Sequence, residues 1–307
     1  MKNSGTWLIP LLASVLCGSA QVTVEVTQEQ QQFLAGEPLK VAVRITNRSG
    51  RALKLGADED WLTFSMESRE GTVVPKLAEV PVQGEFSLES SKVAIKRVDL
   101  APYFMLSIPG AYQIEATVRI RDLKTELTSP PKSFDLIQGV KIWEQDVGVP
   151  SVAGNGAEPE VRRYTLQQAN YFRGQTRLYL RVTDQYGKLI RVSAVGQMTS
   201  FGHPEPQIDR SNRLHILHLE GASYYNYAVF DLQGNLVLHQ TWEIGNSRPR
   251  LRLDDEGNVT VAGGTRRIMT TDFPPSKNDE DDSNPAAPPL MPPPTTSEVS
   301  KAGAKGQ

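Results

Sequence analysis

Residues 112 to 121, Tyr112-Gln113-Ile114-Glu115-Ala116-Thr117-Val118-Arg119-Ile120-Arg121, decide the fold class. Tyr112, Ile114, Ala116, Val118 and Ile120 are apolar, and a polar residue follows each of them. Successive side chains of an extended chain point to opposite sides, so a period of two marks a strand with one buried face. Ile108-Pro109-Gly110-Ala111 turns the chain into it. The same grammar occurs upstream, where Leu39, Val41, Val43 and Ile45 alternate with a second face carrying Lys40, Arg44 and Thr46. Ala35-Gly36-Glu37-Pro38 leads into that strand and Asn47-Arg48-Ser49-Gly50 leads out. Shorter strands fit around 22–26, 61–66, 85–88, 93–98 and 133–137.

About seven strands over residues 21–138, separated by turn residues, is the count and spacing of a two-sheet sandwich. Tyr112 stands just after a Gly turn at the head of a late strand, and this resembles the tyrosine corner of immunoglobulin-like domains. With the phrases Gly36-Glu37-Pro38-Leu39 and Ile45-Thr46-Asn47-Arg48-Ser49-Gly50, the stretch is similar to the immunoglobulin-like modules of many bacterial exported proteins. That resemblance implies an architecture, and a spacer, adhesion or docking role rather than a chemistry.

Residues 139–160, rich in Gly and Pro towards their end, read as a linker. From 161 to 270 strands resume with a loose repeat. One strand ends in Asp184, turns through Gln185-Tyr186-Gly187-Lys188, and a second strand starts at Leu189. Another ends in Asp231, turns through Leu232-Gln233-Gly234-Asn235, and a second starts at Leu236. A further phrase beginning at Pro206 returns at Pro249. Such units resemble the blades of β-propellers, although eight or nine strands amount to only about two blades. The expectation is a second antiparallel β module made of two packed sheets or a small barrel-like unit.

The chain opens with Lys2 in a short polar stretch, then an apolar run from Trp7 to Leu16, then Gly18-Ser19-Ala20. Charged start, apolar centre and small-residue exit read as a secretory signal over residues 1–20, cleaved before Gln21. The run is too short for a bilayer span, and no later segment is long and apolar enough for one. A lipoprotein box wants a small residue before its Cys, and Leu16 stands before Cys17, so cleavage after Ala20 is favoured. That cut removes the single cysteine, and with it thiol catalysis and Cys-ligated metal. The expected location is periplasmic or extracellular. Residues 271–307, with Asp279-Glu280-Asp281-Asp282 and runs of Pro, read as a disordered acidic, Pro-rich tail. Net charge is −2 over 307 residues, which leaves no electrostatic footprint for nucleic acid.

No constellation demands a chemistry. His215 and His218 lie three apart, which on a strand places them on opposite faces and argues against a shared metal. Asp254-Asp255-Glu256-Gly257-Asn258 is acidic, but its Gly comes fourth rather than sixth as a calcium loop needs, so it reads as a hairpin turn. Asp58-Glu59-Asp60 reads as a solvated loop, and Gly263-Gly264-Thr265-Arg266-Arg267 as a turn. The sequons at Asn47 and Asn258 both fall at turns. Nucleophile and phosphate-cradling motifs are absent. Tyr224, Tyr225, Tyr227 and Phe230 are the one binding candidate, because tyrosines on a β surface suit sugar rings or extended peptides; the favoured reading is that alternate members fill the core and cross-strand pairs of one strand.

The sequence therefore predicts an all-β, exported, non-catalytic binding or scaffold protein with a protein or glycan partner. No cofactor, metal or catalytic residue is assigned. The alternatives are a hydrolase of glycans or peptides using carboxylates that are paired only in space, and a subunit of a β-rich envelope assembly that completes its sheet with another chain.

Overall fold

A computed structural model describes residues 22–149, 160–171 and 174–274. The segment read as a secretory signal and nearly all of the expected acidic tail lie outside the described residues. The fold is all-β: several mainly antiparallel sheets, with no α-helix among the described residues.

The first module contains β1 (Val22–Gln28), β2 (Gln32–Leu34), β3 (Lys40–Asn47), β4 (Leu53–Leu55), β5 (Leu62–Ser68), β6 (Phe86–Leu88), β7 (Val93–Asp99), β8 (Gly110–Ile120), β9 (Thr125–Thr128) and β10 (Lys132–Ile137). A three-stranded sheet runs β1-β3-β7, and a second runs β2-β10-β8-β5 with β9 also on β8. The two share one core. Val24, Val43 and Ile45 come from the first sheet, and Phe64, Ile114, Val118 and Phe134 from the second. The apolar faces read from the sequence are the buried faces of β3 and β8. Each fully buried aliphatic side chain contributes about 1.5–3 kcal/mol relative to exposure. Ser129-Pro130-Pro131 separates β9 from β10 along the same partner, since proline has no N–H for the ladder. The Tyr112 hydroxyl donates to the Ile108 carbonyl at 2.6 Å, tying the head of β8 to the turn before it.

The second module starts earlier than its sequence suggests. Residues 140–148, expected to be linker, form β11 (Val140–Gly148), which pairs with β12 (Val161–Tyr171). Only Val147 of β11 is buried, so the strand carries no clean alternation for the eye to find. β13 (Gln175–Asp184) and β14 (Leu189–Met198) complete a four-stranded meander, β11-β12-β13-β14. A second meander follows as β15 (Glu205–Ile208), β16 (Leu214–Leu219), β17 (Tyr224–Phe230) and β18 (Leu236–Glu243). The hairpin β19 (Arg250–Leu253) and β20 (Val259–Ala262) comes next, and β21 (Thr265–Arg267) returns to pair with β18. Gly263-Gly264 is thus a turn, as expected, but Thr265-Arg266-Arg267 is a strand. Phe273 pairs with His239, so the strand bridges reach a few residues past the expected start of the tail.

The meanders pack face to face. Tyr164, Leu166, Leu178, Leu180 and Val182 of the first meet Leu214, Ile216, Ala228 and Phe230 of the second. The far face of the second meander, with Leu217, Tyr225, Tyr227 and Val229, is covered by Leu251 and Val261 of the β19–β20 hairpin. β16 and β17 are therefore buried on both faces.

Four turns of this module share one construction. At Asp184, Asp209, Asp231 and Asp254 the Oδ1 atom accepts the N–H groups two and four residues ahead, at 2.7–3.0 Å. The residue three ahead has positive φ: Gly187, Asn212, Gly234 and Gly257. A short carboxylate that bonds its own loop, followed by a residue tolerant of left-handed backbone, closes a tight hairpin. The structural repeat is this single hairpin; the longer spacing noticed between Pro206 and Pro249 spans two of them.

Candidate functional site

The tyrosine cluster fills the core, the favoured reading of its sequence, and does not form a binding surface. Tyr225, Tyr227 and Phe230 are buried, and only Tyr224 is exposed, at 37%. Arg267 stacks on Tyr224 with its guanidinium carbon 5.4 Å from the ring centre, and Arg248 lies 5.2 Å from Tyr225. These rings belong to the core and to cation–π caps at its margin.

The histidines fall as strand geometry requires, on opposite faces of β16. His215 accompanies Tyr227: its Nδ1 and the Tyr227 hydroxyl are 2.7 Å apart, and its Nε2 is 3.2 Å from Asp209 Oδ2. Burial holds the His215 pKa below the usual value despite the opposing pull of Asp209. Burial also pushes the Tyr227 hydroxyl up to about 12, so it stays protonated. His218, on the other face, is completely buried. Its Nε2–H donates to the Gln197 carbonyl at 3.0 Å, while Nδ1 has no partner. A Cβ on Gly196 would lie 3.1 Å from that Nε2, so the bare glycine lets the imidazole sit against β14. Burial, with His239 nearby, lowers the His218 pKa to about 4.

The acidic loops are structural. Asp58 and Asp60 pair with Arg121 and Arg119. Asp254 holds its own hairpin, and the N–H groups of Asn258 and Glu256 keep its carboxyl below the ordinary range. Asn47 is fully buried; its Nδ2 donates to the Arg51 and Leu88 carbonyls, so the first sequon offers no accessible amide in the folded protein. Among the described residues no three His, Cys, Asp or Glu side chains gather to hold a metal ion, and no helix is long and apolar enough to cross a membrane.

The surface that emerges instead is the outer face of the β1-β3-β7 sheet. A groove of about 760 Å³ runs across it, lined by Thr27, Lys40, Ala42, Arg44, Val93, Ile95 and Arg97 among others. Strand alternation explains the lining. With Val41, Val43 and Ile45 of β3 turned into the core, Lys40, Ala42 and Arg44 must point outward. The register then sets Ala42 opposite Arg97 and Arg44 opposite Ile95. Val93 and Ile95 are 42% and 50% exposed, more than isolated surface aliphatics on a packed sheet need to be. Lys40, Arg44 and Arg97 make no ion pair among the described residues. Asp99 at the groove end is already engaged, accepting the Leu39 and Ala101 N–H groups at 2.8 and 3.1 Å. The result is an apolar strip beside a mixed set of charges, in which the ladder sets Lys40 opposite Asp99 and Arg44 opposite Glu25 and leaves Arg97 opposite Ala42, with no carboxylate across from it. Sequence inspection assigned Lys40 and Arg44 to a solvent face; the signal overlooked was Val93-Ala94-Ile95, a strand without a polar face.

A second feature hidden from the sequence is the contact between modules. Gly36, with φ +88°, brings the turn after β2 so close to β14 that a Cβ there would stand 2.4 Å from Leu189 Cδ2. Leu34 packs with Ala169, Tyr179 and Val192 of the second module. Beside it Glu37 accepts from Gln30 Nε2 and the Leu34 N–H, each at 2.9 Å, and Gln30 accepts from Arg177 at 2.9 Å. Burial raises the Glu37 pKa, and these partners only partly offset it. Glu29 and Lys40 line both the groove and the cleft at this contact, so the two are continuous.

No protein-family model and no curated protein matches the chain. Among solved structures it is similar to the crystal structure of Spo0M, a sporulation control protein from Bacillus subtilis. The identity is 7% and the TM-score 0.29, over 56% of this chain and 83% of that one. The likeness is distant and assigns no family.

Proposed function

We propose that this is an exported, non-catalytic binding or scaffold protein that recognises another macromolecule through the outer face of the β1-β3-β7 sheet. The observation that carries the reading is the groove there, which holds exposed Val93 and Ile95 beside Arg97, a cation with no carboxylate across the ladder from it. A long open groove on a sheet face suits an extended chain better than a compact small molecule, which needs enclosure on most sides. An aliphatic strip with charges around it resembles an interface with an apolar centre and polar rim. The two-sheet first module and the Tyr112 bond support the likeness to immunoglobulin-like modules, and the paired meanders support a likeness to propeller blades; both serve here as frameworks. The open edges at β7 and β11 favour partnership with another β-rich chain over a free-standing role.

The test is site-specific photo-crosslinking in the envelope of the source cell. A photoreactive residue at Ile95 is expected to give a discrete adduct, and one at Leu253, 48% exposed on the β19–β20 hairpin over the far face of the second meander, is expected to give none. Equal labelling at both positions, or none at Ile95, refutes the assignment. Mass spectrometry of the mature N-terminus checks the export reading: an unmodified chain starting at Gln21 is expected.

A further inference from the structure

We infer that the free edge of β7 takes up an extended acidic segment of another polypeptide as an added strand. This rests on the reading of the same sheet face as the recognition surface, and names the mode of binding and the chemistry of the partner.

The edge has the properties that pairing needs. All seven residues of β7 pair with β3 in one unbroken register, so the strand is straight and its opposite edge is regular. Among the described residues β3 is its only neighbour in the sheet, and no backbone hydrogen bond outside the ladder involves residues 93–99. No residue of β7 is buried. Half of its N–H and C=O groups therefore face outward as an unused ladder. Natural edge strands are usually blunted by proline, by a bulge or by inward charges. β7 has neither proline nor bulge, and its one inward-facing charge, Lys96, lies over the Phe86 ring with Nζ 4.5 Å from the ring centre. β11 makes the contrast, since its pairing with β12 is broken by a register shift between Lys141 and Trp143.

The side chains specify the occupant. On an added strand, residues opposite Val93, Ile95 and Arg97 stand about 5 Å away on the same face. An apolar residue opposite Ile95 and a carboxylate opposite Arg97 would complete the strip, and a longer acidic side chain would reach towards Arg44. A second copy of this chain is the poorer fit. Two β7 strands paired antiparallel over all seven residues centre on Lys96, which then faces itself. That arrangement also gathers the Arg44 and Arg97 side chains of both copies on one face. Like charges directly opposed destabilise such a pair.

The full mature chain is titrated with a nine-residue peptide whose one face, read on alternate residues, changes from valine to glutamate while the other face carries threonine, with its lysine counterpart, and with two acidic versions N-methylated on alternate residues in either phase. The acidic peptide is expected to bind. One N-methylated version should bind at least tenfold more weakly and the other about as well, because only one edge of the guest faces β7. Deuterium uptake over residues 93–99 should slow, and the Arg44→Glu/Arg97→Glu variant should weaken binding at least tenfold. The lysine peptide should not bind. No binding of the acidic peptide, equal binding of both N-methylated versions, or unchanged exchange over 93–99 overturns strand addition. A wild-type dimer abolished by Ile95→Lys overturns it in favour of self-pairing. If strand addition fails while crosslinking at Ile95 succeeds, the recognition surface stands and only its mode is wrong.

Discussion

Protonation of His218 is the perturbation whose cost follows most directly from the structure. The imidazole is fully buried, its single hydrogen bond needs the proton on Nε2, and Nδ1 faces no acceptor that would welcome a second proton. Its pKa falls from 6.5 to about 4 on folding. Because the folded-state value is the lower one, the unfolded chain binds the proton more readily, and acid favours unfolding. The contribution is fully present above pH 6.5, is lost as pH falls from 6.5 to about 4, and levels off below. Each unit is worth about 1.36 kcal/mol, so the loss across the window is about 3 kcal/mol. That is a large share of the roughly 5–15 kcal/mol by which domains are stable. Burial also raises the Glu37 pKa and lowers that of His215, so the assay compares wild type with His218→Gln, whose amide can still donate to Gln197. Urea unfolding followed at pH 7.5 and pH 4 should show wild type losing about 3 kcal/mol more than the variant. Parallel pH dependence in the two proteins would refute the reasoning, and would mean that the imidazole is relieved in the folded state by water or a neighbour.

Three further substitutions test separate parts of the framework. Tyr112→Phe deletes the bond to the Ile108 carbonyl and should cost about 1 kcal/mol in chemical denaturation, with the strand pairing of β8 unchanged by amide exchange. Gly36→Ala should destabilise by about 1–2 kcal/mol from positive φ alone, with a further loss from the clash at Leu189. Adding Leu189→Ala should recover the clash component, so the double variant is less destabilised than the sum of the singles. Asp231→Ala removes the acceptor of the Gln233 and Asn235 N–H groups and should cost about 1–2 kcal/mol in thermal or urea unfolding, whereas Asp231→Asn, which keeps an oxygen there, should cost less.

The alternation in β3 and β8 was legible because one face of each strand is buried and the other is not; a period of two reports that directly. The Asp-x-x-Gly turns were legible for a comparable reason, since the carboxylate bonds within five residues of itself. What the residues alone could not show is where the chain returns. Tyr225 and Tyr227 read sooner as core than as an exposed patch, but what covers them, the β19–β20 hairpin folded back over that face, is not visible in the residues. β11 is a strand only because β12 lies beside it. The charge of the groove depends on which carboxylates come within reach of Lys40, Arg44 and Arg97, and the closeness of the two modules depends on Gly36 meeting Leu189. By itself the sequence determined the all-β class, the inward faces of the main strands and the tight turns, because each is settled by interactions a few residues long. Only the tertiary structure decided the second buried face, the open edge and the unpaired charges, because burial and ion pairing are set by distance in space rather than by separation along the chain.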